Sequence, residues 1–306
     1  MNRAELLYNC TLCPRECGVD RTKEKGFCGE SADIRIARYG RHMWEEPPIS
    51  GSRGAGTVFF CGCSLKCVYC QNSEISQFGK GYVINVSELA DIFLELQDKG
   101  VHNIDLVTPT HFVPQILDAL DMVKGRLTIP VIYNCGGYEK TDTIKMLKGY
   151  VDIFMPDIKY YDSVVSARLS KAGDYFEKAV RAVRLMADIA GKPVTDDNGI
   201  MKSGVIVRHL VLPNHRKDSI RLIEKLGENF SPDEILISLM NQFTPTKRCE
   251  LYNEINRRTT TFEYNSVLKA VSACGFDGFM QDRRSAKEEY IPQFFNDKKV
   301  TITQND

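Results

Sequence analysis

Residues 57–70 read Thr-Val-Phe-Phe-Cys-Gly-Cys-Ser-Leu-Lys-Cys-Val-Tyr-Cys. The run at 57–60 has no polar alternation, the pattern of a strand buried on both faces. It ends in a loop crowded with thiols. The same strand signal recurs at 104–108 (Ile-Asp-Leu-Val-Thr), 129–133 (Ile-Pro-Val-Ile-Tyr), 151–155 (Val-Asp-Ile-Phe-Met), 204–212 (Gly-Val-Ile-Val-Arg-His-Leu-Val-Leu) and 234–240 (Glu-Ile-Leu-Ile-Ser-Leu-Met). Helical periodicity lies between these runs. Leu89, Ile92, Phe93 and Leu96 recur at helical spacing, with Ser87 as the expected N-cap and Gly100 past the end. Val113, Ile116, Leu117, Leu120 and Val123 form a second stripe, with Pro114 in its first turn. Further helices are expected at 140–148, 163–190, 216–227 and 260–273.

Six β–α units with mostly short connections imply right-handed crossovers and a parallel sheet with helices on its outer face. Six are too few for a complete eight-stranded barrel. The expected fold is therefore α/β, a partial (β/α)6 TIM-type barrel with a small cysteine-rich N-terminal segment. A flat doubly wound sheet is the alternative topology. The expected boundaries are 1–50 for the cysteine-rich segment, 51–280 for the barrel and 281–306 for a C-terminal extension. That extension carries Arg283, Arg284, Tyr290, Pro292, Phe294 and Phe295, suited to covering the barrel mouth or docking a partner, or to being a solvated tail.

At 306 residues the chain allows one large domain or two small ones, taking roughly 150 residues per domain. Forty basic residues balance forty acidic ones, which argues against a dedicated nucleic-acid binder. No apolar run approaches the ~18 residues of a membrane span, and the N-terminus lacks a signal peptide's apolar core. The expected location is the cytoplasm.

Of 11 cysteines, Cys10, Cys13, Cys17, Cys28, Cys61, Cys63, Cys67 and Cys70 crowd the first 70 positions. In a cytoplasmic chain such crowding reads as metal ligation rather than a disulfide framework. Cys135, Cys249 and Cys274 suit the role of small buried hydrophobes.

In a parallel barrel, chemistry is built on the loops after the strands. Those loops carry Cys61 to Cys70, Thr108-Pro109-Thr110-His111, Asn134-Cys135-Gly136-Gly137, Pro156-Asp157-Ile158-Lys159, Pro213-Asn214-His215 and Asn241-Gln242, and the fifth strand carries Arg208 and His209. Cys63, Cys67 and Cys70 can ligate three corners of a cubane iron–sulfur cluster, leaving one iron open. Cys61 is too close in sequence to serve easily as the fourth. Tyr69 can stack on a planar base.

This spacing, with an aromatic before the third cysteine, resembles the signature of radical S-adenosylmethionine enzymes, and residues 59–72 resemble their glycyl-radical-activating branch. The whole chain is similar to the pyruvate formate-lyase activating-enzyme-related group. The matching blocks are Cys10-Thr-Leu-Cys13-Pro-Arg-Glu-Cys17-Gly18, Val107-Thr-Pro-Thr-His111, Tyr133-Asn134, Gly137-Tyr138-Glu139, Asp157-Ile-Lys159, Val207-Arg-His-Leu-Val-Leu-Pro213 and Leu239-Met240-Asn241-Gln242.

The resemblance implies a [4Fe–4S] cluster on Cys63, Cys67 and Cys70 as the catalytic centre. S-adenosylmethionine binds its open iron and is cleaved by one electron to methionine and a 5′-deoxyadenosyl radical. A one-electron reductant such as flavodoxin or ferredoxin and a protein substrate, a glycyl radical enzyme, are the implied partners. Asp157, the Met155 carbonyl and Asn134 match positions holding a monovalent cation near the methionine carboxylate. Lys159 matches a partner for that carboxylate, and Arg208 a contact to the methionyl portion or ribose, while His209 points to the opposite strand face. The family's Gly-Gly-Glu run, which holds the cofactor's ammonium, is replaced by Thr108-Pro109-Thr110-His111. Thr108 and Thr110 are the substitute acceptors, and His111 is a candidate for substrate or proton work or a core histidine.

Cys10, Cys13, Cys17 and Cys28 form a second thiol group suited to structural zinc or a second iron–sulfur cluster. The competing readings are radical modification of another peptide or small molecule, and a non-catalytic iron–sulfur or zinc protein.

Overall fold

The computed structural model describes residues 3–280. The expected C-terminal extension at 281–306 lies outside the described residues. Ten strands form the sheet: β1 (Ile34–His42), β2 (Ala55–Phe60), β3 (Tyr82–Ile84), β4 (Ile104–Val107), β5 (Val131–Cys135), β6 (Ile153–Pro156), β7 (Val194–Thr195), β8 (Met201–Leu210), β9 (Leu236–Met240) and β10 (Gly278–Met280). Their order is β10-β9-β8-β6-β5-β4-β2-β1-β3, with β7 paired to β8 alone. The run from β2 to β10 is parallel throughout. The sheet does not close on itself, so the expected partial barrel is the architecture.

Three features differ from the sequence reading. First, β10 adds a parallel strand beyond the expected six, only three residues long and bounded by Gly278. Second, β1 lies inside the cysteine-rich N-terminal segment and pairs antiparallel with both β2 and β3. Third, the single helix expected at 163–190 is two, α7 (Ser163–Ser170) and α8 (Tyr175–Ala190). The break falls at Lys171, which adopts the left-handed conformation at φ 59° and ends the first helix.

The remaining helices are α1 (Glu5–Tyr8), α2 (Pro47–Ser50), α3 (Ser73–Ser76), α4 (Val86–Asp98), α5 (Val113–Met122), α6 (Thr141–Met146), α9 (Arg216–Asn229) and α10 (Thr261–Ala273). The N-cap of α4 is Asn85 rather than Ser87. The Asn85 side chain accepts from the Glu88 N–H while the Glu88 carboxylate accepts from the Asn85 N–H, a reciprocal capping box. The stripe Leu89, Phe93 and Leu96 is fully buried against the sheet, at about 1.5–3 kcal/mol of transfer energy per side chain.

Alternation sorts the strands into two faces. Ile104 and Leu106 of β4, and Val205 and Val207 of β8, join the large core under the helices. On the opposite, concave face, Ile132, Ile153, Met155, Met201 and Ile206 gather around Ile49. Ile49 belongs to the β1–β2 connection, and the Asn103 amide donates to its carbonyl at 2.8 Å. Through Ile49 this connection packs onto the concave face. The C-terminal ends of the strands carry the polar loops.

Candidate active site

The cysteine loop begins directly after β2, where Gly62 takes φ 79°. A Cβ there would stand 2.5 Å from Glu30 Cγ and 3.0 Å from the Cys28 carbonyl oxygen, so only glycine permits this approach. Each expected ligand sulfur has a hydrogen-bond donor or hydroxyl beside it. The Leu65 N–H lies 3.4 Å from Cys63 Sγ, Ser170 Oγ donates to Cys67 Sγ at 2.9 Å, and Ser76 Oγ is 3.3 Å from Cys70 Sγ. Such contacts stabilise thiolates and tune the metals they bind. Burial pushes the Cys63 thiol up to about 12, and deprotonation is then the step that metal binding must drive. Cys61 points elsewhere: it is fully buried and its thiol donates to the Lys80 carbonyl at 3.2 Å.

Among the described residues, no three Cys, His, Asp or Glu side chains are gathered closely enough to hold one metal ion. Ligands to three separate irons of a cube need not converge on one point. The loop's three thiols, each supported by a polar neighbour, fit a [4Fe–4S] group in donor chemistry.

A buried charge network stands beside the loop. Arg208 donates from Nε to Asp157 (3.0 Å), from one terminal nitrogen to Glu45 (3.2 Å) and from the other to Asn134 (2.6 Å). Lys159 pairs with the second Asp157 oxygen at 2.5 Å. Burial raises the Asp157 carboxyl, but Lys159 and Arg208 outweigh it and hold the group below its ordinary value. Lys159 is also close enough to Cys67 for each to affect the other's ionisation, which joins the network to the cysteine loop. The backbone here is fixed by Tyr175 of α8. Its hydroxyl accepts from the Lys159 N–H at 3.1 Å and lies 2.8 Å from the carbonyls of both Gly136 and Asp157.

Glu45, Glu46 and Asp105 complete this network, and sequence reasoning missed all three. Burial, then the other acids, raises the pKa of Asp105 well above the carboxylate range. The one available signal was Asp105 itself, a charge inside an otherwise apolar strand. Nothing in the local sequence connects Glu45 to Arg208, 163 positions away.

The other expected residues are placed as follows. Tyr69 is buried, its ring edge-on to Tyr160 and Phe243 and its hydroxyl 2.6 Å from that of Tyr160. Thr108 takes φ 60°, and its N–H donates to the Asn134 carbonyl at 2.8 Å. Thr110 is buried and donates to Glu139 at 2.8 Å. Tyr133 donates to the other Glu139 oxygen at 3.0 Å, and burial pushes the Glu139 carboxyl up to about 7. His111 is buried with Nε2 2.6 Å from the Cys61 carbonyl, so it braces the cysteine loop as a core histidine. His209 faces away from Arg208, with Nδ1 2.7 Å from the Ile158 carbonyl.

In the N-terminal group, Cys10, Cys13 and Cys28 are buried and Cys17 is exposed. Both Cys17 Sγ and Cys28 Sγ border Gly26: a Cβ built on it would lie 3.4 Å from each.

Thiols and buried ion pairs thus gather at the loop end of an unclosed parallel sheet, in an α/β partial barrel. The Radical SAM superfamily model matches residues 57–223, more than half of the sequence, and the chain belongs to that superfamily. Members take a [4Fe–4S] cluster and S-adenosylmethionine. The chain is 31% identical over 282 residues to an uncharacterized protein of Methanocaldococcus jannaschii, covering 89% of this chain and 77% of that protein. It shares its fold with SuiB of Streptococcus suis, solved with S-adenosylmethionine bound, at a TM-score of 0.52 and 14% identity over 74% of this chain. A radical SAM methyltransferase of Sphaerobacter thermophilus matches at a TM-score of 0.50 and 13% identity, also over 74% of this chain. The chain spans 50% of SuiB and 65% of the methyltransferase. No helix among the described residues is long and apolar enough to cross a membrane.

Proposed function

We propose that this chain is an activating-enzyme-like radical SAM enzyme that takes a hydrogen atom from a glycine of a partner protein. The observation that carries this reading is the placement of Cys63, Cys67 and Cys70 on one loop, each sulfur beside a donor or hydroxyl, next to the Asp157–Lys159–Arg208 network. When bound, the cluster and S-adenosylmethionine supply reductive carbon–sulfur cleavage and a 5′-deoxyadenosyl radical.

The residues of the chain bind and orient. Lys159 turns from Asp157 to the methionine carboxylate. Asp157, the Met155 carbonyl and Asn134 hold a monovalent cation beside it. Arg208, fixed by Glu45 and Asp157, faces the methionyl portion or ribose. Tyr69 flanks the base, and the Thr108–Thr110 turn takes the ammonium through hydroxyl or carbonyl oxygens. A flavodoxin or ferredoxin is the proposed reductant. The N-terminal thiols hold a second metal group.

A second reading, radical attack on another peptide or small molecule, is favoured by one observation. Thr110 is committed to Glu139, a departure from the Gly-Gly-Glu arrangement of the activating branch.

Reconstituted, reduced protein given S-adenosylmethionine should release 5′-deoxyadenosine, and Cys67→Ala should abolish it. No nucleoside from the unsubstituted protein rejects both readings. A glycyl-radical EPR doublet in a candidate lyase, present only after incubation, separates the first reading from the second.

A further inference from the structure

The β1–β2 connection carries Glu45 and Glu46 to the concave face of the sheet. Glu45 reaches Arg208 at 3.2 Å. Glu46 lies beside the hydroxyl of Ser238, which is paired in register with Arg208 on the neighbouring strand. Asp105 faces the same space from β4, because its neighbours Ile104 and Leu106 point into the core under the helices. One Asp105 oxygen accepts from the Asn134 amide at 3.3 Å, and the Asn134 amide oxygen accepts from Arg208 at 2.6 Å. Asp157 bonds the same guanidinium through Nε. All four carboxylates lie within charge range of Arg208.

The cluster is graded from rim to floor. Its rim side chains keep some exposure, from 12% at Glu45 to 17% at Lys159. Glu46 is 8% exposed and Asp105 0%. Two positions before Asn134, Asp157 and Arg208, on the same strand faces, stand the buried Ile132, Met155 and Ile206. The cluster is therefore closed by an apolar layer on one side and reached from the loop end of the strands, where Lys159 joins it to Cys67.

Two oxygens of the floor have no hydrogen-bond partner among the described residues, Glu46 Oε2 and Asp105 Oδ1. Leaving such groups unpaired in the interior is costly, and folded proteins give nearly all of them a partner. His42 is not that partner: its Nε2 stands 3.9 Å from Glu45, and burial pushes its pKa down to about 4, leaving it neutral at pH 7. The two orphan oxygens belong to different carboxylates. A guanidinium fork matches both oxygens of one carboxylate, whereas an ammonium is compact and turns its three donors freely.

We propose that Glu46 and Asp105 form a subsite for a protonated amine of the substrate, which enters past Glu45 and Arg208 and donates to the two orphan oxygens. The amine belongs to a basic side chain beside the target or to a small free amine, two sources of one ammonium chemistry. The subsite stands on the cluster alone; that the amine lies next to the abstracted hydrogen rests on the proposed radical reading.

The test uses the full chain, reconstituted anaerobically, with n-butylammonium and the neutral 1-butanol as probes read by saturation-transfer difference NMR at pH 7. The wild type should bind n-butylammonium roughly tenfold more tightly than 1-butanol, or better. Asp105→Asn and Glu46→Gln should each remove that preference and keep the thermal midpoint, since each takes one like charge out of an acid-rich cluster. Equal binding of the two probes by the wild type overturns the subsite without reference to any variant's folding, and so does an undiminished preference in both variants. Displacement of n-butylammonium by S-adenosylmethionine would assign the oxygens to the cofactor's own ammonium, and displacement by an equal concentration of potassium ions to an inorganic cation. Either result overturns the substrate assignment. Acetyl-glycyl-lysine amide binding more tightly than n-butylammonium supports the subsite with a protein source, and the reverse order supports it with a small amine. Amine binding without release of 5′-deoxyadenosine would count against the proposed function alone.

Discussion

Arg208 Nε donates to Asp157 Oδ1 at 3.0 Å, and the backbones of the same two residues form an isolated parallel bridge, Asp157 lying just past β6 and Arg208 within β8. This pair is the hinge of the buried network, because Asp157 also holds Lys159 and Arg208 also holds Glu45 and Asn134. Removing the guanidinium takes the Arg208 charge from Glu45 and leaves Asp157 with Lys159 alone, in a low-dielectric setting. Arg208→Ala should destabilise the fold by roughly 3–5 kcal/mol, read as a lower urea midpoint. Arg208→Lys keeps the charge and loses the three-way geometry, so it should recover only part of that loss. An unchanged midpoint in Arg208→Ala would show that the network is not a structural unit.

Glu139 predicts a pH dependence. Its folded pKa of about 7 lies above the ordinary 4.5 because burial outweighs the bonds from Thr110 and Tyr133. The folded state therefore binds more protons than the unfolded chain between these values, and stability should fall as pH rises from about 4.5 to about 7. The linked loss is on the order of 3 kcal/mol. Glu139→Gln should flatten that slope, measured by denaturation at a series of pH values.

Ser170 reaches from the end of α7 to Cys67 Sγ at 2.9 Å. A hydrogen bond to a ligand sulfur favours the reduced, more negative cluster. Ser170→Ala should shift the potential of the proposed loop cluster downward by roughly 40 mV, taking about 1 kcal/mol for the bond and one electron transferred. An EPR-monitored redox titration reads this directly.

Gly137 packs its α-carbon against the Asp157 carbonyl at φ 78°, and a Cβ there would overlap that oxygen and stand 2.9 Å from the Tyr175 hydroxyl. Gly137→Ala should cost at least about 2 kcal/mol through strain and displacement. It should also weaken S-adenosylmethionine binding by moving Asp157, which equilibrium dialysis against the reconstituted protein can measure.

Much of this was readable locally. Cys63, Cys67 and Cys70 lie within eight positions on one loop, so spacing alone marked them as the proposed ligands. The buried strands announced themselves as short apolar runs, and the helices as stripes with caps. Local reading failed where two local signals competed. Ser87 and Asn85 are both good caps, and the Glu88 carboxylate decided for Asn85. Asn85→Ala should therefore cost about 1 kcal/mol in thermal denaturation, more than Ser87→Ala. Strand β1 was missed because Arg35, Arg38 and Arg41 make its stretch polar, yet its Ile34 and Ile36 are buried between the strand's neighbours and the helical layer.

The sequence by itself determined the order of β–α units, the thiol loop after β2 and the polar character of the strand ends, because each depends on residues within a few positions of one another. Only the tertiary structure decided that Glu45 meets Arg208, that His111 braces Cys61 and that Cys28 abuts Cys63. Those contacts join segments separated by tens to more than a hundred positions. Their partners are chosen by which buried charges and hydrogen-bonding groups must be satisfied once the sheet has curved and water has left.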